Sequence, residues 1–407
     1  MGTLIKFELK KILGNRAGMV ACALLLAMLV AVSAMAVGVR DYDTGEYVQG
    51  IRAQQALRAQ AERHAGTLTD ERVAADAAVY DRAVALWEQQ PELADLGGWE
   101  VADDAAITLG LDFWRETGAI LTDDYYTEVV GTLDSTNPRA TSLREGARAR
   151  VDGALSQGLW GYHPYTEAEK AYWRSLEDGI AWPLEYGYDH GWDNVFAWKG
   201  FSGLAVVAIC IALSGVFAGE YRDRTAAIVL PTRRGKRALP VAKVAASFIF
   251  TTAYWLLVAG LVIGTRVMLY GADGWNLPLQ VSTGMDNPYP LTVGQAVLLS
   301  YGLGYLVALG TAAFALIISS RVRTTLPVAA ITMSVVFLGV IGLFAKPLIK
   351  IAMLTPFTGL SYAYDVMASY AVGPFVADLP TVLVLLYGVM LVVLTPLAVR
   401  AFKRHQV

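Results

Sequence analysis

Six stretches of at least 20 residues contain no charged side chain, at 17–39, 200–219, 244–265, 291–318, 324–345 and 379–399. A helix rises ~1.5 Å per residue, so each stretch can cross a hydrocarbon core of ~30 Å. Inside lipid a backbone must satisfy its own hydrogen bonds, which restricts such runs to helices. The 407 residues are 55% hydrophobic and 17% charged, with a mean hydropathy of +0.43. The expected fold class is an α-helical polytopic membrane protein with six transmembrane helices. A mainly helical extracellular domain is expected to be inserted between helices 1 and 2.

Charge fixes the expected orientation. The segments 1–16, 220–243, 319–323 and 400–407 together carry sixteen Lys/Arg and only three acids, Glu8, Glu220 and Asp223. Short basic segments are retained in the cytoplasm. Both termini of this multi-pass cell-membrane protein are therefore expected on the cytoplasmic side. The segments 40–195, 266–290 and 346–378, which hold most of the acids, are expected outside. Residues 1–16 place Ile5, Leu9, Ile12 and Leu13 on one helical face and Lys6, Lys10 and Lys11 off it. That pattern predicts an amphipathic helix in the cytoplasmic interface. The charged start of a signal peptide is the alternative; against it, the apolar run that follows is long and lacks a clear small-x-small cleavage site before charged sequence.

The 40–195 block holds 29 acids against 13 Lys/Arg, and seven tryptophans (Trp87, Trp99, Trp114, Trp160, Trp173, Trp182 and Trp192). At 156 residues it is long enough for its own core. Residues 46–65 and 70–90 read as helices, the second ended by Pro91. Ser142 with Glu145, and Thr166 with Glu169, have capping-box spacing. Gly158 and Gly179 are expected helix stops. The aromatic stretch 182–198 reads as an interfacial belt ahead of the second span, with a ligand-binding surface as the alternative. Residues 346–378 contain two short apolar pieces split by Asp365 and interrupted by Pro347, Pro356 and Pro374. They predict re-entrant or interfacial helices.

The 220–243 loop carries seven basic residues: Arg222, Arg224, Arg233, Arg234, Lys236, Arg237 and Lys243. Its partly apolar interior, Thr225 to Leu230 closed by Pro231, predicts a short helix capped by Asp223 or Thr225. Glu220 is placed to pair with Arg222, Arg224 or a basic residue of the N-terminal helix. A purely topogenic loop with no partner is the plain alternative. The order of features, an acid ending one span, a short helix, Arg-Arg-Gly-Lys-Arg and a Lys opening the next span, resembles the loop between the second and third helices of ABC-2 type transporter permeases. The Leu354-Thr-Pro356-Phe357 segment before the last span resembles the same family. The family often has Gly-Thr where this chain has Arg224-Thr225.

The resemblance covers residues 1–39 and 196–407. It implies that the loop couples to an ABC ATP-binding subunit through Glu220, Arg222, Arg224, Thr225, Ile228, Leu230, Arg233, Arg234 and Arg237. It also implies a second permease copy or paralogue, lipid contact, no nucleic acid, and ATP and Mg held in the partner subunit rather than here. Cargo would be an amphipathic compound such as a drug, an antimicrobial peptide or a lipid. Sodium export, also found in the family, fits uncharged spans less well.

The spans carry polar groups that could line a transport path: Thr251, Thr252, Tyr254, Tyr301, Tyr305, Thr311, Thr332 and Ser334. Helix packing is the plainer role for each. No carboxylate lies within a span, as an ion-coupled carrier would require. The chain lacks G-x-x-x-x-G-K-[ST], since Gly235-Lys236 is followed by Arg237 and Leu230 occupies the first Gly position. It also lacks H-E-x-x-H and G-x-S-x-G, so no catalytic role is predicted. The histidines (His64, His163, His190 and His405) show no ligand spacing, and Cys22 and Cys210 form no metal or disulfide framework. A signalling relay, with the inserted domain binding a ligand, remains the competing reading.

Overall fold

The computed structural model describes residues 1–34, 38–90, 109–133, 140, 142–229 and 232–404. Pro91, Trp99, Leu230, Pro231 and His405 lie outside the described residues, as do the side chains of Arg233 and Arg234. The chain is mostly helical and divides into two compact units. One comprises Met1–Ala34, Phe196–Gly264 and Val297–Val407; the other comprises Met35–Val195 and Thr265–Ala296. They are called the bundle and the inserted unit below.

Among the described residues six helices are long and apolar enough to cross a membrane: Arg16–Ser33, Lys199–Arg222, Gly235–Tyr270, Val293–Ser319, Thr325–Leu343 and Leu379–Arg404. They are spans one to six. Span two is the most enclosed, with 72% of its residues buried, against 22%, 28% and 17% for spans one, five and six. Span two is therefore the bundle's core, and the other three present apolar faces that need lipid or another chain. Span one packs on span two through Gly18. A Cβ there would lie 2.5 Å from the Ala212 Cα, so only glycine allows this approach.

Several boundaries differ from expectation. The helix of span one ends at Ala34, and Gly38–Arg40 is a strand paired antiparallel with Tyr47–Gln49. The β-branched Val39 and the polar residues beyond it favour pairing once the apolar run ends. The third helix starts at Arg233 and runs 38 residues to Tyr270, so the second half of the basic loop belongs to it. Ala, Leu, Lys and Arg are good helix formers, and they carry the helix across Pro240. Residues 346–378 are not all helical. The short helices Ile349–Ala352 and Pro356–Tyr362 are followed by a hairpin of Ser369–Val372 with Phe375–Asp378. Its two-residue turn has Gly373 at φ 62°, a left-handed conformation that glycine supplies. The Pro356–Tyr362 helix packs on span two, with Phe357 beside Gly203 and Ser361 beside Gly200. Lys199, 2% exposed, is neutralised by Asp365 at 2.5 Å.

In the inserted unit, helices Ile51–Arg63, Asp70–Glu88, Leu143–Gln157 and Glu167–Glu177 enclose a core that includes Leu68, Val73, Tyr125, Val129, Leu143 and Leu184. Thr166 and Glu169 form the predicted capping box, and the Ser142 side chain accepts from the Glu145 N–H. Gly158, at φ 80°, follows the third of these helices. Two findings revise the sequence reading. Tyr186 and Tyr188 are buried in this core with Trp182 packed against it, so the 182–188 rings serve packing and not an interfacial belt. The 266–290 loop is also part of the unit: Val281 and Met285 enter its core, and Trp275 meets Trp192 edge to face at 4.5 Å.

Candidate functional site

The basic loop and its surroundings lie within the bundle. The predicted short helix is present at Thr225–Val229. It follows directly from span two, whose helix is interrupted at Ser214 and resumes over Gly215–Arg222. Such a break orphans backbone groups. Ser319 of span four takes them up: its Oγ donates to the Ser214 carbonyl (2.9 Å) and accepts from the N–H groups of Phe217 (3.1 Å) and Ala218 (3.0 Å).

Below this repair sits a buried ionic cluster of two acids and two lysines. Glu220, 6% exposed, accepts from Lys11 Nζ at 2.7 Å and from Lys243 Nζ at 2.9 Å. Lys243, 1% exposed, also donates to Glu8 at 2.6 Å. Lys11 reaches Glu8 at 3.4 Å, and the Thr225 hydroxyl donates to the Glu220 carboxylate. Three elements are thereby tied together: the N-terminal helix Gly2–Leu13, the end of span two and the base of the third helix. Burial opposes the charge on Lys11. The hydrogen bond to Glu220 and the carboxylate of Glu8 outweigh it and hold this ammonium above the ordinary lysine range. Removing one member of a buried pair costs ~3–5 kcal/mol because it strands its partner's charge.

A cavity of about 590 Å³ opens beside the cluster, lined by Glu8, Lys11, Asn15, Glu220, Thr225 and Lys243 among others. The Asn15 side chain donates to the carbonyls of Ile211 (3.3 Å) and Ala212 (3.1 Å), fastening the turn before span one onto span two.

The predicted residues fall out as follows. Glu220 pairs with the N-terminal helix, as one of the expected options had it, and not with Arg222 or Arg224. Arg222 pairs instead with Asp223 at 2.8 Å on the surface. Thr225 is spent on Glu220 and no capping bond from Asp223 is seen. Arg224 has φ 55°, the left-handed region that glycine occupies without strain. Ile228 is 75% exposed, an apolar side chain with no cover in this chain, and Arg237 is exposed. Glu8 and Lys243, although noted among the charges of these segments, are not among the residues expected to couple to a partner. The signal was present: Glu8 sits four residues before Ile12 on the apolar stripe, and it is one of only three acids among sixteen basic residues.

The hydroxyls proposed to line a path do not form one surface. Thr252 and Tyr305 are brought together at 2.7 Å and line an open groove of about 440 Å³ with Phe248, Leu309 and Leu391. The Tyr254 hydroxyl donates to the Cys22 carbonyl, and Thr332 bonds back to its own helix at Val328 and Ala329. Thr251, Tyr301 and Thr311 are buried, and Ser334 is exposed. Among the described residues no His/Cys/Asp/Glu group is arranged to hold a metal ion. Comparison of the chain with protein-family models, curated proteins and solved structures gave no match.

Proposed function

We propose that this chain is the membrane subunit of an ABC-2 type exporter and that ATP is hydrolysed by a separate subunit docked on the Thr225–Val229 helix. The observation that carries this reading is the ionic cluster beside that helix. A topogenic loop needs positive charge alone and no buried acid. Here Glu8 and Glu220 clamp the interface helix, span two and span three into one body next to an exposed Ile228. Such a body can pass a push on the short helix to three elements at once.

In this reading the basic segments and both termini are cytoplasmic, the inserted unit is extracellular, and two such chains, or this chain and a paralogue, form the path. The lightly enclosed faces of spans one, five and six supply surface for lipid and for that second copy. The uncharged stretches at 17–39, 200–219, 244–265, 291–318, 324–345 and 379–399 and the groove at Thr252 and Tyr305 favour an amphipathic cargo, a drug, antimicrobial peptide or lipid, over a free cation. A relay without transport is the second reading. It is favoured by the size and separate core of the inserted unit.

The test is co-purification with the ATP-binding subunit and cargo-stimulated ATPase over a compound panel. Ile228→Asp is expected to leave the chain inserted and abolish docking, and Glu220→Ala to lower stimulated turnover at least about tenfold, in keeping with the loss of a buried ion pair. Lys236→Ala, on an exposed lysine, is the control and is expected to change little. Full assembly and full turnover in both test variants would reduce the loop to a topogenic signal. Normal ligand-dependent ATPase with no movement of any compound would favour the relay.

A further inference from the structure

The inserted unit contains a cavity of about 220 Å³ that the transport reading does not use. At ~30 Å³ per water this is room for about seven waters, or a small organic molecule of about ten non-hydrogen atoms. Its walls include four aromatic rings, Tyr42, Tyr47, Trp114 and Tyr186, together with Asp123 and Arg40. Two of these side chains are almost fully buried and incompletely satisfied. Asp123 is 2% exposed; its Oδ1 accepts the Tyr125 N–H at 2.9 Å and the Gln60 side chain lies close enough to favour the charged carboxylate, but its Oδ2 makes no hydrogen bond of good geometry. Trp114 is 1% exposed, and its Nε1–H has no acceptor.

Buried polar atoms are satisfied in the great majority of cases, so each exception calls for a reason. Here the two are of opposite kind, one acceptor and one donor, on the same cavity wall. The nearest basic group to Asp123 Oδ2 is His64 Nε2 at 3.6 Å, too far for a hydrogen bond. Burial pushes the Asp123 carboxyl up to about 6 and pulls the His64 imidazole down to about 4. Near neutral pH a carboxylate therefore faces an uncharged ring. The Arg40 guanidinium lies 5.8 Å from the Trp114 ring and adds positive charge on the donor side. Aromatic faces in turn favour an ammonium.

We infer that this cavity binds a free α-amino acid, its ammonium on Asp123 Oδ2 among the tyrosine rings and its carboxylate on Trp114 Nε1 and Arg40. The unsatisfied acceptor of Asp123 and the unsatisfied donor of Trp114 then each meet a group of opposite character, and the aromatic surface takes the ligand's side chain. The inference does not depend on the chain being a transporter.

The experiment is isothermal titration calorimetry on the purified full chain in detergent. The probes are L-leucine, L-phenylalanine, phenethylamine (which lacks the carboxylate) and 3-phenylpropionate (which lacks the ammonium). At least one of the two amino acids is expected to bind, with phenethylamine at least about tenfold weaker and 3-phenylpropionate not measurable. A lost charge-assisted hydrogen bond corresponds to a factor of about 10 or more. Asp123→Asn and Trp114→Phe are each expected to lower the affinity by a similar factor. Trp114→Phe keeps an aromatic ring in place and decides the matter if Asp123→Asn fails to fold. The inference is overturned if neither amino acid binds the folded wild-type chain at millimolar concentration, which would leave ordered water as the cavity's content. It is also overturned if both variants bind as the wild type does, or if 3-phenylpropionate binds best.

Discussion

Arg224 shows how a single residue can be held in a conformation its chemistry disfavours. For a side chain with a Cβ, the left-handed region costs roughly 1–2 kcal/mol, and glycine escapes most of that cost. Arg224→Gly is therefore expected to stabilise the purified chain by about 0.5–1 kcal/mol, after allowing for the greater freedom of glycine when unfolded. Arg224→Val is expected to destabilise it, since a β-branched residue fits this region worst. Thermal midpoints in detergent of the two variants, moving in opposite directions, check this. At this scale the site was half legible. Glu220 stands out because an acid at the end of a span amid basic residues invites a partner. Lys243 does not stand out: its link to Glu220 exists only because the third helix begins at Arg233 and turns that lysine inward. Hydropathy places the membrane portion of a helix and says little about how far the helix continues in water.

At the scale of elements, the spans were readable because length and absence of charge leave a helix as the one available structure. The Ser369–Asp378 hairpin was misread for the opposite reason. A short apolar run fits a strand as well as a buried helix, and only Gly373-Pro374 marked the turn. The break at Ser214 was equally hidden, since residues 200–219 of span two carry no charge and no proline and the cause lies in another helix. Ser319 holds three bonds to that break. Ser319→Ala leaves the Phe217 and Ala218 N–H groups without that acceptor in a buried place, at a cost of about 1–3 kcal/mol. The variant is expected to unfold at lower temperature and to show faster amide exchange over residues 214–222 than wild type. Unchanged exchange there would mean that the break is held by packing alone.

For the molecule as a whole, pH is expected to act through the inserted unit. Burial, aided by the charge of Asp193, pushes the Asp189 carboxyl up to about 8 from an ordinary value of 3.8. Between about pH 4 and pH 8 the folded chain thus keeps a proton that the unfolded chain has released, and this group's contribution to stability falls as pH rises through that window. His64 works the other way. Its imidazole is held neutral down to about 4, so between there and about 6.5 stability rises with pH. Asp123, pushed up to about 6, adds a fall of the same sign below that pH, so Asp189→Asn should remove the fall between about pH 6 and pH 8 and leave the contributions of Asp123 and His64. Thermal midpoints of both proteins measured from about pH 5 to pH 9 should therefore diverge most at the alkaline end, the variant being the more stable there. An equal fall in both would place the sensitivity elsewhere.

The ionic cluster also has an electrical consequence. Glu8 and Glu220 balance Lys11 and Lys243, so the body they join carries no net charge from these four groups. Moving one elementary charge through the full membrane field takes about 2.3 kcal/mol per 100 mV, whereas moving a neutral cluster takes none. These four groups therefore add nothing to the voltage sensitivity of a movement of this body, and in an exporter built on it any such sensitivity would come from the other charges of the same elements, Lys6, Lys10, Arg222, Lys236 and Arg237 among them. Glu220→Gln leaves one positive charge of the cluster uncompensated, so whatever turnover it keeps in proteoliposomes should depend more steeply on an imposed potential than the wild-type rate does.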